Sequence, residues 1–132
     1  MLACVLAVAG LLIGCDETSW NRTTLEFDEA VHDARHLGNP DVYRAALLQF
    51  ATQREIQALN EIFEKAALLD AMRAYYKLSL LESELDREDE AQRYLLKSIK
   101  VCNSVRDSCT EDDLSEYESK FDEFEREKGL QW

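Results

Sequence analysis

The chain has 132 residues, and its 27 Asp and Glu against 15 Lys and Arg give a formal net charge of −12 at pH 7. Nucleic acid and anionic lipid headgroups would be repelled by this charge rather than bound. Only four glycines occur, and none belongs to a glycine-rich loop that could cradle a phosphate or a dinucleotide. The length suits one compact domain with its own core.

Residues 1–14 carry no charged side chain. The apolar stretch 2–13 is too short to span a bilayer, whose ~30 Å hydrocarbon core needs ~20 apolar residues, but it has the size of the apolar region of a signal peptide. No Lys or Arg precedes it, whereas signal peptides normally begin with a positive stretch. The alternative is a short buried N-terminal helix of a soluble protein.

The apolar stretch ends in Leu12-Ile13-Gly14-Cys15, which resembles the bacterial lipobox. The resemblance implies that residues 1–14 are a signal peptide and that the mature chain begins at a diacylated Cys15. It also implies a cell-envelope protein whose domain faces the periplasm. Because no polybasic membrane segment is present, acyl chains on Cys15 must contact the membrane, and at least two are needed for stable attachment. The anchor could lie in either the inner or the outer membrane.

The same resemblance implies a role for all four cysteines. Cys4 leaves with the signal peptide and Cys15 is lipidated, which leaves Cys102 and Cys109 as an even pair in an oxidising compartment. A disulfide between them would close a loop of about eight residues and contribute ~2–3 kcal/mol through chain entropy. Two unpaired thiols would be expected if the chain were cytosolic.

Residues 15–23 are polar and predict a tether between the lipid and a helical domain spanning 24–132. The apolar residues of this domain recur with the 3.6-residue period of helices and predict an all-α fold. Six helices are expected, at about 24–37, 40–51, 53–69, 71–85, 87–103 and 111–128.

Residue types at helix ends support these boundaries. Gly38, Asn39 and Pro40 suit the end of one helix and the start of the next. Capping residues are predicted at Thr23 with Glu26, Thr52 with Glu55, Asp70, Asp86, and Thr110 with Asp113, while Gly129 suits the end of the last helix. Neither Gly nor Pro occurs between residues 41 and 85, so the helix could instead continue through Thr52 or Asp70.

The predicted inward side of each helix forms an apolar stripe. Its members are Phe27, Val31, Ala34, Leu37, Val42, Ala46, Phe50, Ile56, Leu59, Phe63, Ala66, Met72, Tyr75, Leu78, Leu81, Leu85, Ala91, Tyr94, Leu95, Ser98, Ile99 and Cys102.

Residues 72–105 resemble a tetratricopeptide repeat. The pattern of large and small side chains on two helices is carried by Tyr75, Leu78, Ser79, Ala91, Leu95 and Ser98. Asp86 stands where the family has a turn glycine, and Asn103 stands where it has a proline. The resemblance implies antiparallel helical hairpins that bind protein segments in a concave groove.

A shift of 33 residues pairs Ala91 with Ala58 and Leu95 with Ile62, which makes 39–71 a possible weaker copy of the repeat. A helical bundle without repeats is the alternative, because it shows the same inward stripes.

Helix 111–128 carries nine Asp and Glu but two Lys and Arg through Glu127. Its apolar stripe predicts a C-terminal capping helix that covers the last hairpin. The stripe consists of Leu114, Tyr117, Phe121 and Phe124. The acidic outer face is a candidate site for a basic partner.

One group of side chains suggests a metal site. Glu29, His32 and His36 share one helical face, and a His-x₃-His spacing can bind zinc, although a surface site without a fourth ligand would be weak. No Ser-His or Cys-His arrangement is indicated, so we do not expect an enzyme or a cofactor.

Together these features predict a lipid-anchored protein-protein interaction module of the envelope. The alternative is a periplasmic immunity or inhibitor lipoprotein that neutralises a cationic toxin, because the chain is small, exported and acidic.

Overall fold

The computed structural model describes residues 6–8, 11–13 and 17–127. Two short strands, β1 (Leu6–Val8) and β2 (Leu11–Ile13), precede five helices. The helices are α1 (Glu17–Leu37), α2 (Pro40–Gln57), α3 (Glu64–Glu84), α4 (Glu88–Val105) and α5 (Glu111–Glu127). The domain is all-α, as predicted, and helices α1 to α4 pack in chain order as antiparallel hairpins. No helix in these ranges is long and apolar enough to cross a bilayer.

The two strands lie within the apolar N-terminal stretch. They pair antiparallel, with Leu6 opposite Ile13 and Val8 opposite Leu11. Among the described elements, β1 and β2 contact each other and none of the helices. The alternative of a buried N-terminal helix is therefore wrong for these residues. Gly14 and Cys15 lie outside the described residues, as do Gly129 and the side chain of Phe124.

The predicted junctions at Thr52 and Asp70 are wrong, and residues 17–127 form five helices instead of six. Helix α2 continues through Thr52, whose hydroxyl donates to the Leu48 carbonyl four residues earlier, at 2.9 Å. Asp70 lies inside α3 and accepts a hydrogen bond from Arg54. The chain breaks instead at residues 58–63, where the Asn60 side chain accepts from the Ile62 N–H at 3.0 Å. We call residues 58–63 the α2–α3 loop.

The predicted tether is also too long, because α1 already begins at Glu17. Thr23 is buried inside this helix, and its hydroxyl donates to the Ser19 carbonyl at 3.0 Å instead of capping a helix start. The first helix is therefore about two turns longer than the apolar stripe indicates.

Other helix ends follow the sequence. Gly38 adopts a left-handed φ of 63°, and the Asn39 side chain accepts from the Asp41 N–H at 2.9 Å. The Thr110 hydroxyl accepts from the Asp113 N–H at 3.3 Å, and the Asp113 carboxylate accepts from the Thr110 N–H at 2.8 Å, which forms the predicted cap of α5.

Asp86, by contrast, does not cap α4. It has a φ of 59° in the α3–α4 turn, a conformation that glycine adopts more readily.

Helix α3 lies at the centre and packs against α2, α4 and α5. Every residue from Ala71 to Tyr76 is buried.

Most of the predicted inward residues are buried or half-buried, but Leu37, Leu59 and Leu85 are 66%, 77% and 38% exposed, and Ala66 is exposed. Leu37 ends α1, Leu59 lies in the α2–α3 loop and Leu85 follows α3, so all three lie beyond the packed turns.

The α3–α4 hairpin contains the segment 72–105 that resembles a repeat, although α3 begins eight residues before it. The weaker copy at 39–71 does not align with the α3–α4 hairpin, because it contains α2 and only the first turns of α3. Ala58 and Ile62, the partners of Ala91 and Leu95 under the shift, lie in the α2–α3 loop and not in a helix.

The buried guanidinium of Arg54 joins α1, α2 and α3. It donates to Asp70 of α3 at 2.9 Å and to the Thr24 hydroxyl of α1 at 2.6 Å. Its carbon Cζ also lies 3.4 Å from the centre of the Trp20 ring. Burial lowers the pKa of Arg54, and the nearby Asp70 carboxylate offsets part of this effect. The side chain stays charged and holds the first three helices together.

We expect Arg54→Ala to destabilise the fold by about 3 kcal/mol, because it removes the partner of Asp70 and the packing against Trp20. Urea unfolding followed by circular dichroism at neutral pH measures this change. Arg22→Ala is the control, since the Arg22–Glu26 pair is 66% and 53% exposed and should contribute under about 0.5 kcal/mol. Equal effects of the two variants would contradict a structural role for Arg54.

Two attachments hold α5 to the rest of the domain. Cys102 in α4 and Cys109 before α5 form a disulfide, with their Cα atoms 6.0 Å apart. The buried Arg73 of α3 donates to Glu118 of α5 at 2.7 Å, and Lys77 lies 2.8 Å from the same carboxylate. The predicted capping helix is thus fixed at its start and near its middle.

Reduction of the disulfide should loosen α5 before it unfolds the core, at a cost near ~2–3 kcal/mol from the entropy of a short loop. Hydrogen exchange of residues 111–127 in oxidised and reduced samples measures this, with α3 as the internal control. Cys109→Ser should match the reduced sample. Two titratable thiols in the native, oxidatively purified protein would show that the bond is absent.

Candidate protein-binding groove

A depression of about 430 Å³ lies between α2 and α4. We call it the α2–α4 groove. Leu48 contributes from α2, and all other lining residues come from α4. They are Arg93, Tyr94, Leu96, Lys97 and Lys100.

The orientation of α4 follows from its amphipathic sequence. Ala91, Tyr94, Ser98 and Cys102 are buried on one side. The Ser98 hydroxyl donates to the Met72 carbonyl of α3 at 2.7 Å, so this side of α4 approaches α3 closely. The opposite side of α4 must then face outward, and Leu96 on that side is 58% exposed.

The charge of this groove differs from that of the whole chain. Three cations lie around an exposed leucine, although the protein carries a net charge of −12. Arg93 also pairs with Glu90 one turn earlier on the same helix. The ammonium group of Lys97 lies 5.0 Å from the centre of the Tyr75 ring. The groove therefore combines an apolar contact with locally positive charge.

Tyr75 connects α2 and α3 close to Lys97. Its hydroxyl donates a short hydrogen bond to the Glu55 carboxylate of α2. Burial, and then the bond to Glu55, raise the pKa of Tyr75 well above its ordinary value. The phenol thus stays neutral at physiological pH and keeps α2 in register with α3.

The zinc candidate does not form a site. Glu29, His32 and His36 are exposed on α1, and a shallow depression there places His32 and His36 beside the cationic Arg35. Across residues 17–127, no group of three or more His, Cys, Asp or Glu is placed to hold a metal ion. The helical spacing brings the side chains to one face but supplies no enclosed ligand set.

The acidic face of α5 is partly used within the fold. Glu118 is buried under Arg73 and Lys77, and Asp122 lies 3.3 Å from Arg73. The acids left exposed on the described part of the helix are Glu111, Asp112, Glu116 and Glu123.

Sequence reasoning did not single out the α2–α4 groove. The signal was present, because Arg93, Leu96, Lys97 and Lys100 recur at helical spacing on the side of α4 opposite its core stripe. Such a face is usually solvated charge, and only the position of Leu48 on a neighbouring helix turns it into a groove.

No protein-family model, curated protein or solved structure matches the chain.

Proposed function

We propose that this chain is a lipid-anchored protein of the cell envelope whose helical domain binds a segment of another protein in the α2–α4 groove. The sequence Leu12-Ile13-Gly14-Cys15 supports the anchor. The separation of β1 and β2 from the helices supports it further, because removing a signal peptide there would leave the helical core intact.

One observation carries the binding role. The groove places three cations around Leu96 and Tyr94 on a chain that is otherwise strongly acidic. An acidic segment with an apolar side chain fits this chemistry, since the cations attract the segment and the leucine gives it an apolar contact. The bonds from Arg54 to Asp70 and from Tyr75 to Glu55 hold α2 against α3, on which α4 also packs, and so help to keep the groove in shape.

The anchor is tested by metabolic labelling with palmitate and by membrane fractionation. Cys15→Ala should abolish both labelling and membrane association, because acyl chains on Cys15 are the proposed attachment. Cys4→Ala is the matched control, since this cysteine would leave with the signal peptide, and it should change neither result. Labelling of the Cys15→Ala protein would contradict the anchor.

The groove is tested with a photo-crosslinking residue placed at position 96 in intact cells. We expect protein adducts at position 96 and none at position 25, where Leu25 is equally exposed, at 59% against 58%. Leu96→Ser should weaken binding of the recovered partner about tenfold, since burying a leucine contributes ~1.5 kcal/mol or more.

Charge reversal separates the groove from general electrostatics. Lys97→Glu should weaken binding several-fold. Lys120→Glu makes the same change in net charge on α5, where Lys120 is exposed, and should leave binding nearly unchanged. Equal losses for the two variants would show that the groove is not the binding site.

A second candidate function is neutralisation of a cationic toxin, which the exposed acids of α5 favour. It requires one tight, salt-sensitive partner. Binding would then fall on reversal of Glu111, Asp112 and Glu116 and would not change in Leu96→Ser.

A further inference from the structure

The α2–α3 loop exposes two large apolar side chains. Leu59 is 77% and Ile62 is 67% exposed, within a loop of six residues. The third large residue of the loop, Phe63, is only half-exposed because it stacks on Trp20 with the ring centres 5.3 Å apart. The loop is thus held in place while two of its apolar side chains face outward.

The contacts of the loop place it beside the start of α1. Besides the Trp20–Phe63 stack, the Gln57 amide donates to the Ser19 hydroxyl at 3.4 Å and to the Thr23 hydroxyl at 2.9 Å. Arg54 adds a bond to the Trp20 carbonyl at 3.4 Å. The end of α2 and the loop are therefore fixed to the first two turns of α1.

The proposed lipid attachment is close to this point along the chain. Cys15 precedes Glu17, the first residue of α1, by two residues, and two residues span at most ~7 Å. The acyl chains on Cys15 would therefore extend from the protein beside Leu59 and Ile62. They would not be separated from these residues by a long tether.

We propose that the α2–α3 loop inserts Leu59 and Ile62 into the surface of the lipid bilayer beside the acyl chains of Cys15. This inference rests on the proposed lipid anchor. The short interval between Cys15 and α1 favours a lipid surface as the partner of the loop, because the anchor would hold the loop at that surface. The exposed acid Glu61 lies in the loop, and the exposed acids Glu64 and Glu17 begin α3 and α1, so apolar contact and not attraction to anionic headgroups drives the insertion.

The opposite end of α1 supplies a matched control. Leu37 is the last residue of this 21-residue helix, about 30 Å from its start. It is 66% exposed, almost the same as Ile62. If exposure alone decided contact with lipid, Leu37 and Ile62 would behave alike.

The experiment uses the full lipidated protein in vesicles of phosphatidylethanolamine and phosphatidylglycerol. Single cysteines replace Leu59, Ile62 or Leu37 and carry an environment-sensitive fluorophore, while Cys102 and Cys109 are protected by their disulfide. Brominated lipids should quench the labels at 59 and 62 several-fold more than the label at 37. This difference should persist in vesicles of phosphatidylethanolamine and phosphatidylcholine. Circular dichroism checks that each variant is folded.

Three results would overturn the proposal, and they are distinguishable. Equal quenching at positions 59, 62 and 37, or none, in a chain that incorporates palmitate would overturn the membrane contact but leave the anchor intact. Labels at 59 and 62 that lipid does not quench, together with protein adducts from a photo-crosslinking residue at these positions in intact cells, would show that a protein covers the loop. Failure to incorporate palmitate would overturn the anchor and, with it, this inference.

Discussion

The position of the first three helices depends on the buried guanidinium of Arg54. Its planar group of donors contacts Asp70, the Gln57 amide oxygen and the Thr24 hydroxyl at the same time, while its face lies on Trp20. A lysine could not satisfy these partners together, because it carries a single ammonium group. Together with the Trp20–Phe63 stack and the Gln57 bonds to Ser19 and Thr23, this centre fixes the start of α1 against the α2–α3 loop.

The same arrangement recurs around α3, since each interface of this helix with α2 or α5 contains an arginine and a carboxylate. Arg44 of α2 bonds the buried Glu82 at 2.9 Å, and Arg73 bonds Glu118 of α5. Such pairs are costly to break, because the partner left behind is a buried charge. They therefore specify which face of each helix meets α3, whereas apolar stripes alone allow several rotations.

The all-α fold and several helix ends could be predicted from local sequence. The apolar period shows in each helix, and Gly38 and Asn39 act through atoms within four residues of themselves. The errors have physical causes. The Thr52 hydroxyl donates to a carbonyl of the preceding turn instead of capping a new helix. Asp70 accepts a hydrogen bond from Arg54, 16 residues away, and no local pattern reveals this pairing. The groove likewise needs Leu48 from another helix, so the sequence shows the part of the groove that lies on α4 but not its shape.

The short interval between Cys15 and α1 has a consequence for which partners can reach the domain. If Cys15 carries the lipid, the 21-residue α1 extends about 30 Å from the attachment point, and the antiparallel helices end within a similar height. The α2–α4 groove would then stay in a thin layer above that membrane. A binding segment would have to be delivered into that layer, which favours partners that are themselves membrane-bound over freely diffusing ones.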